Sequence, residues 1–323
     1  MRRVLPLLIA VAVGGGNAHG AEPAAYPARP IRLVVPFAPG GAVDVTARLL
    51  GAKMSELAQQ QVVIDNRGGA GGVVGTELVA RAAGDGYTLL LHSATIAYEP
   101  ALRAKLPYDA LKDLAPISIT GATPNLLVVH PAFFARSARD LVQLAKQKPG
   151  AVNFGTGGVG SSSHLAVELF RNLAGVTFNH VPYKGAGPAL IEVIAGQIDF
   201  MIATMPSAVP HVRSARVRAL GISTLKRSAE LPEVPTIAES GLPGYEYVAW
   251  FGLFAPAATP AALLARIHGL HQDAVNSKDL RAKFAAEGLE TQMTTAREFR
   301  AMLVTETARW KKIIDAAGIK VAN

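Results

Sequence analysis

Cysteine is absent from all 323 residues. That excludes disulfides, cysteine-based zinc sites, a cysteine nucleophile and a lipid-modified N-terminal cysteine. Charge is sparse, at 17% of residues against 50% apolar, a balance that excludes a disordered chain and implies well-filled cores. No H-E-x-x-H and no close His/Asp/Glu cluster occurs, so no metal centre is expected. G-x-S-x-G is also missing, so the Ser161-Ser162-Ser163 run before His164 reads as a helix cap or ligand contact and not as a nucleophile. With no convergent set of titratable groups, the chain is expected to be no enzyme and to need no cofactor. His180, His211 and His271 read as isolated histidines.

The apolar run Val4–Val13 is ten residues, about half of the roughly 20 needed to cross a bilayer. It does fit an export signal. Arg2 and Arg3 precede it and the small residues of Gly14–Ala21 follow. This pattern predicts a signal peptide over residues 1–20, cut after Gly20 or Ala21. No later segment reads as membrane-spanning, so the mature protein is expected to be soluble, and an exported chain without disulfides suits a bacterial periplasm. Net charge is +8, or +6 once Arg2 and Arg3 are gone. The basic residues are scattered, which argues against nucleic acid and for a mild attraction of small anions.

From residue 31 the chain alternates β-rich runs and helical patterns. IRLVVPF, QVVIDN and YTLLLHS read as strands, with VDVTARLLGAKMSELAQQ (43–60) and VVGTELVARAA as helices between them. A second set follows with PNLLVVHP, VNFGT, TFNHVPY, DFMIA and VRALGIS. Alternation of this kind predicts a largely parallel sheet with helices on both faces, twice over: two Rossmann-like α/β domains. PISITGATPNLLVV and GYEYVAWFGLFAP read as two strands crossing between them, Trp250 and Phe251 being packing in the second crossing. The boundaries are then 22–123 plus 246–323 for the first domain and 124–245 for the second, with three helices closing the chain. A cleft between two such domains is a usual place for a ligand.

Three strands end in small-residue loops that open helices: PFAPGGAVD (36–44), FGTGGVGSSSH (154–164) and VPYKGAGPA (181–189). A helix N-terminus presents unpaired N–H groups and the positive end of the dipole, and glycine lets an anion come close to the backbone. Single loops of this sort are ordinary turns; three of them, in two halves of an exported chain, predict an anion cradle. Gly155, Gly157 and Gly160 match G-x-G-x-x-G, but the acidic partner about 20 residues on is missing, so a dinucleotide is not expected. Asp44 can complement its helix start or meet a ligand, and Lys184 can supply charge or face solvent.

These segments, together with VIDNRGGAGGVVGTELVARAAGDGYTLLL and LPEVPTIAESGLPGYEYVAWFGLFAPAATP, resemble the Bug family of periplasmic substrate-binding proteins of tripartite tricarboxylate transporters, over essentially the whole mature chain. The resemblance implies a type II periplasmic-binding-protein (Venus flytrap) architecture, two α/β domains joined by two hinge strands. It implies a small organic carboxylate held in the cleft by Phe37, Pro39, Gly40, Gly41 and Asp44 and by Ser93 and Thr95 on the first side. On the second side Thr156, Ser161, Ser162, His164, Tyr183, Lys184, Gly185 and Thr204 would set specificity. It further implies a monomer that serves the membrane permease subunits of such a transporter; a periplasmic sensor passing a carboxylate signal to a membrane partner is the alternative. The chain departs from the family's usual wording at Ala94–Pro100 and Ile202–Thr204, so the ligand's identity does not carry over.

Overall fold

The computed structural model describes residues 26–103 and 105–316; the expected signal peptide lies outside them. The first half of the chain supplies β1 (Ile31–Val35), α1 (Ala42–Ala58), β2 (Val62–Asn66), α2 (Val73–Ala80), β3 (Thr88–Ser93) and α3 (Thr95–Leu102). A 16-residue strand, β4 (Leu114–Val129), leads into α4 (Ala138–Gln147), β5 (Asn153–Thr156), α5 (Ser162–Ala174), β6 (Asn179–Pro182), α6 (Ala186–Ile194), β7 (Phe200–Thr204), α7 (Met205–Arg213) and β8 (Arg218–Ile222). The chain returns through β9 (Val248–Pro256) and closes with α8 (Ala261–Asn276), α9 (Lys278–Ala286), β10 (Glu290–Thr291) and α10 (Ala296–Ala316).

Hydrophobic patterning explains the layers. The run IRLVV of β1 is apolar at nearly every position and buried, as strands covered on both faces require. Along α1, Val43, Ala47, Leu50 and Met54 recur at spacings of four, three and four and form its buried stripe. The sheet order is β2-β1-β3-β9-β4-β7-β5-β6, with β8 and β10 also pairing β4. Both outer parts, β2-β1-β3 and β7-β5-β6, are parallel as expected. The centre is not: β9 runs antiparallel to β3 and β4, and β4 antiparallel to β7 and β8. Two strands that carry the chain across and back must run in opposite senses, so the middle of the sheet departs from the parallel expectation. β4 pairs β9 as far as Pro124 and β7 from Asn125 onward.

Two helices were not expected. α3 carries Pro100 and α7 carries Pro206 and Pro210, and such short, proline-bearing stretches read as loops. Their register matters, because they make β3 and β7 also end in helix starts. At the far end, α10 packs Trp310 on Tyr98 of α3, ring centroids 4.4 Å apart, and on Tyr247 at 5.8 Å.

Candidate ligand-binding site

The strand ends of both parallel sets converge. In the loop after β1, Gly40 adopts φ +84°, a conformation that disfavours any side chain, and Asp44 is buried in the first turn of α1 behind it. Asp44 accepts from the Gly40 N–H, from Asn66 Nδ2 and from Arg48 Nε, each at 3.0 Å. Asn66 Nδ2 also donates to the Phe37 carbonyl at 3.0 Å. The aspartate is thus committed to holding the loop. The helix start itself stays open: Gly41 caps α1 without a side chain, and the N–H groups of Ala42 and Val43 have no acceptor among the described residues.

The loop after β5 is built by serines. Ser161 caps α5, its Oγ taking the His164 N–H, while Ser163 Oγ accepts from the Gly157 N–H at 2.9 Å. Ser162 Oγ and the Tyr247 hydroxyl lie 2.9 Å apart. With their side chains so used, the Ser162 and Ser163 N–H groups have no acceptor among the described residues. His164 does not face the ligand space. Its Nδ1 accepts from the Gly160 N–H at 3.1 Å, and its ring stacks on His180 at 4.3 Å. His180 in turn lies 2.6 Å from Thr156 Oγ1, so it is part of the loop's support and not isolated. Desolvation first, then positive neighbours, push His164 down to about 3 and His180 to about 4, so both rings are neutral. A neutral Nδ1 is what lets His164 accept from Gly160.

The loop after β6 opens α6 with Gly185 as its cap, again with no side-chain bond, and the Ala186 N–H is unpaired among the described residues. Here the two halves touch. The Ala38 N–H donates to the Lys184 carbonyl at 3.0 Å. A Cβ on Gly187 would lie 2.3 Å from the Pro39 carbonyl oxygen, and one on Gly71 would lie 2.4 Å from that of Val159. Only glycine permits this approach, so the loops stand in a closed arrangement.

Between them lies a cleft of about 430 Å³, counted out to its mouth. Its walls are Phe37, Gly41, Ala42, Val43, Ser93 and Phe251 from one side and Gly157, Ser161, Ser162, Ser163, Ala186 and Thr204 from the other. Six expected residues meet there: Phe37, Gly41, Ser93, Ser161, Ser162 and Thr204. Thr95 sits behind Ser93, their hydroxyls 2.7 Å apart, and Thr156 and His164 brace the serine loop. Pro39, Gly40 and Gly185 form the contact between halves. Tyr183 and Lys184 turn instead to a separate groove that they share with Arg103. Ile96 lines another cavity, beside Tyr108.

Sequence reasoning missed Ala42, Val43, Gly157, Ser163, Ala186 and Phe251. Five fall inside the loops 36–44, 154–164 and 181–189 whose helix-start N–H groups predict the cradle, but were not singled out by number. Phe251 was read as packing, and no sequence signal distinguished it: it is 1% exposed, yet one of its neighbours is the cleft. The lining includes no titratable side chain, and no group of three metal-ligating residues occurs among the described residues. This arrangement can hold an anion through neutral dipoles and offers no proton transfer.

Known proteins share this construction. BugT of Bordetella pertussis is 38% identical over 323 residues, 99% of each chain. The solved structure of the periplasmic binding protein BugD is 30% identical, with a TM-score of 0.88 over 92% of this chain and 100% of that one. An R. palustris protein solved with adipate is 34% identical, again with a TM-score of 0.88 over 92% of this chain and 100% of that one. The α/β fold is therefore that of the periplasmic binding proteins. The model of the tripartite tricarboxylate transporter family receptor matches residues 46–319, and the chain belongs to that family of solute-binding, non-enzymatic receptors.

Proposed function

We propose that the protein captures a small organic carboxylate in the periplasm and presents it to the permease subunits of a tripartite tricarboxylate transporter. The observation that carries this is the set of unpaired N–H groups at Ala42, Val43, Ser162, Ser163 and Ala186, from three helix starts, on one cleft. Hydrogen bonds to a charged group contribute about 1.5–3 kcal/mol each, so a few suffice for tight capture without a buried cation. Adipate in the R. palustris relative supports the ligand class. The family supports the transporter partner, and the segment 1–20 supports export. In this reading the domains are 22–123 plus 246–323 and 124–245, hinged where β4 and β9 cross, and the protein works as a monomer.

Calorimetry against four- to six-carbon carboxylates tests it, with one variant that removes a single donor. Ala42→Pro deletes the N–H at the first position of α1, where proline is tolerated, and Gly41 already has the extended φ −83°, ψ 165° that precedes proline well. The expected result is one carboxylate per chain for the wild type and about 10-fold weaker binding for Ala42→Pro. Ala42→Ser, which keeps the N–H and adds similar bulk, should stay closer to wild type. Equal affinity of all three proteins would contradict the backbone cradle.

A further inference from the structure

The cleft is supplied with donors, and the carboxylate beside it is already used. The carboxylate adjoining the lining is Asp44, and both its oxygens are spent: Oδ2 on Gly40 and Arg48, Oδ1 on Asn66 and on Arg48 Nη2 at 2.9 Å. Several of the wall's carbonyls already accept a hydrogen bond, while Gly157 O has no donor among the described residues. Phe37 O accepts from Asn66, Gly41 O from the Val45 N–H and Ser161 O from the Leu165 N–H, the last two at 3.0 Å. Ser93 O takes His92 Nδ1 and Thr204 O takes Ser207 Oγ, both at 2.8 Å. The helix starts add positive potential to a space that already lacks a negative group.

From this we infer, on the basis of the function proposed above, that the site discriminates against ammonium: its ligands are carboxylates without an amino group, and α-amino acids of the same skeleton are rejected. A buried –NH3⁺ loses its hydration and here finds no uncommitted carboxylate, only a neutral carbonyl at Gly157 that carries no charge to offset its own. The faces of Phe37 and Phe251 offer a cation–π contact, which is weaker than the cost of burying the ion unpaired. Hydroxyls of Ser93, Ser161, Ser162 and Thr204 can rotate to accept, but a hydroxyl carries no charge to offset that of the ammonium. Selection thus comes from the lack of a negative partner on the lining and not from a clash, so it holds at any chain length the cleft admits.

The experiment is calorimetric titration of the full-length mature protein, freed of co-purified ligand by unfolding and refolding, with matched pairs: succinate and aspartate, glutarate and glutamate, adipate and 2-aminoadipate. At least one amino-free acid should bind, and its amino partner should bind weaker by about 100-fold or more, the range in which an unpaired buried polar group costs recognition. An amino acid that binds within 10-fold of its amino-free partner, or tighter, would overturn this inference while leaving carboxylate capture standing. Binding of none of the six, nor of any other organic acid in the panel, would overturn the function itself and the inference with it.

Discussion

Replacing Gly187 by valine should abolish ligand capture without unfolding the protein. Gly187 is the second residue of α6 and precedes Pro188, which disfavours helical backbone for a residue with a branched Cβ, so a modest loss of local helix stability accompanies the contact effect. What resists the side chain is the other half: a Cβ there would lie 2.3 Å from the Pro39 carbonyl oxygen and 3.0 Å from the Gly40 carbonyl carbon. The substitution therefore penalises most heavily the arrangement in which the loops meet. A ligand that needs this arrangement binds with an apparent affinity reduced by the fraction of molecules that can reach it. A clash of this depth costs several kcal/mol, and about 3 kcal/mol corresponds to a 100-fold loss or more. Calorimetry should show that loss while circular dichroism still reports a folded protein and the thermal midpoint falls only by a few degrees. Gly269→Val in α8, where a Cβ meets nothing within 4 Å, is the control and should bind normally. Normal binding by a folded Gly187→Val protein would mean that closure of these loops is not required.

A second large effect concerns pH. His271 is fully buried with Nε2 2.9 Å from Thr120 Oγ1, and desolvation, helped by His268, pushes it down to about 3. The unfolded chain holds this histidine at about 6.5, so as pH falls below that value the unfolded state takes up a proton that the folded state refuses. The stabilisation is present above pH 6.5 and is lost progressively toward the folded value near 3. Between pH 7 and pH 4.5 this amounts to about 2 kcal/mol for one such group. His92, held near 4 by burial, adds to the trend, whereas buried Glu99, raised to about 8 by desolvation, opposes it. A comparison that isolates His271 is therefore needed. His271→Gln keeps a partner for Thr120 and removes the titration. Urea unfolding at the two pH values should show the variant losing about 2 kcal/mol less than wild type on acidification. Equal losses would show that His271 is charged or accessible in the folded protein.

The parts of the architecture that were legible in the sequence are those with local causes. Apolar runs such as IRLVV and the spaced stripe of α1 announce buried strands and an amphipathic helix before any tertiary contact is known. The three glycine-bearing loops were found because helix starts have a chemistry of their own, independent of what faces them. What escaped depends on partners distant in the chain. The antiparallel centre of the sheet follows from β4 and β9 crossing in opposite directions, which neither strand's composition reveals. α3 and α7 form despite an interior proline each, Pro100 and Pro210, with most of their first-turn residues buried. His180 looks unremarkable in sequence because His164 and Thr156, which give it its role, lie 16 and 24 residues away. The same reason explains why the loops were legible as donors while the individual N–H groups on the cleft were not. An unspent N–H is visible only after every other acceptor has been assigned, as it has been at Ser162 and Ser163.

The central claim is that backbone amides of three converging helix starts hold the anion. The most direct measurement is an amide ¹⁵N–¹H titration of the assigned protein with whichever carboxylate binds best by calorimetry. Large downfield amide-proton shifts are expected at Ala42, Val43, Ser162, Ser163 and Ala186, saturating together with the calorimetric isotherm, since these N–H groups exchange water for a carboxylate. Saturation with those five amides unmoved, and the shifts gathered instead around Arg103 and Lys184, would contradict it.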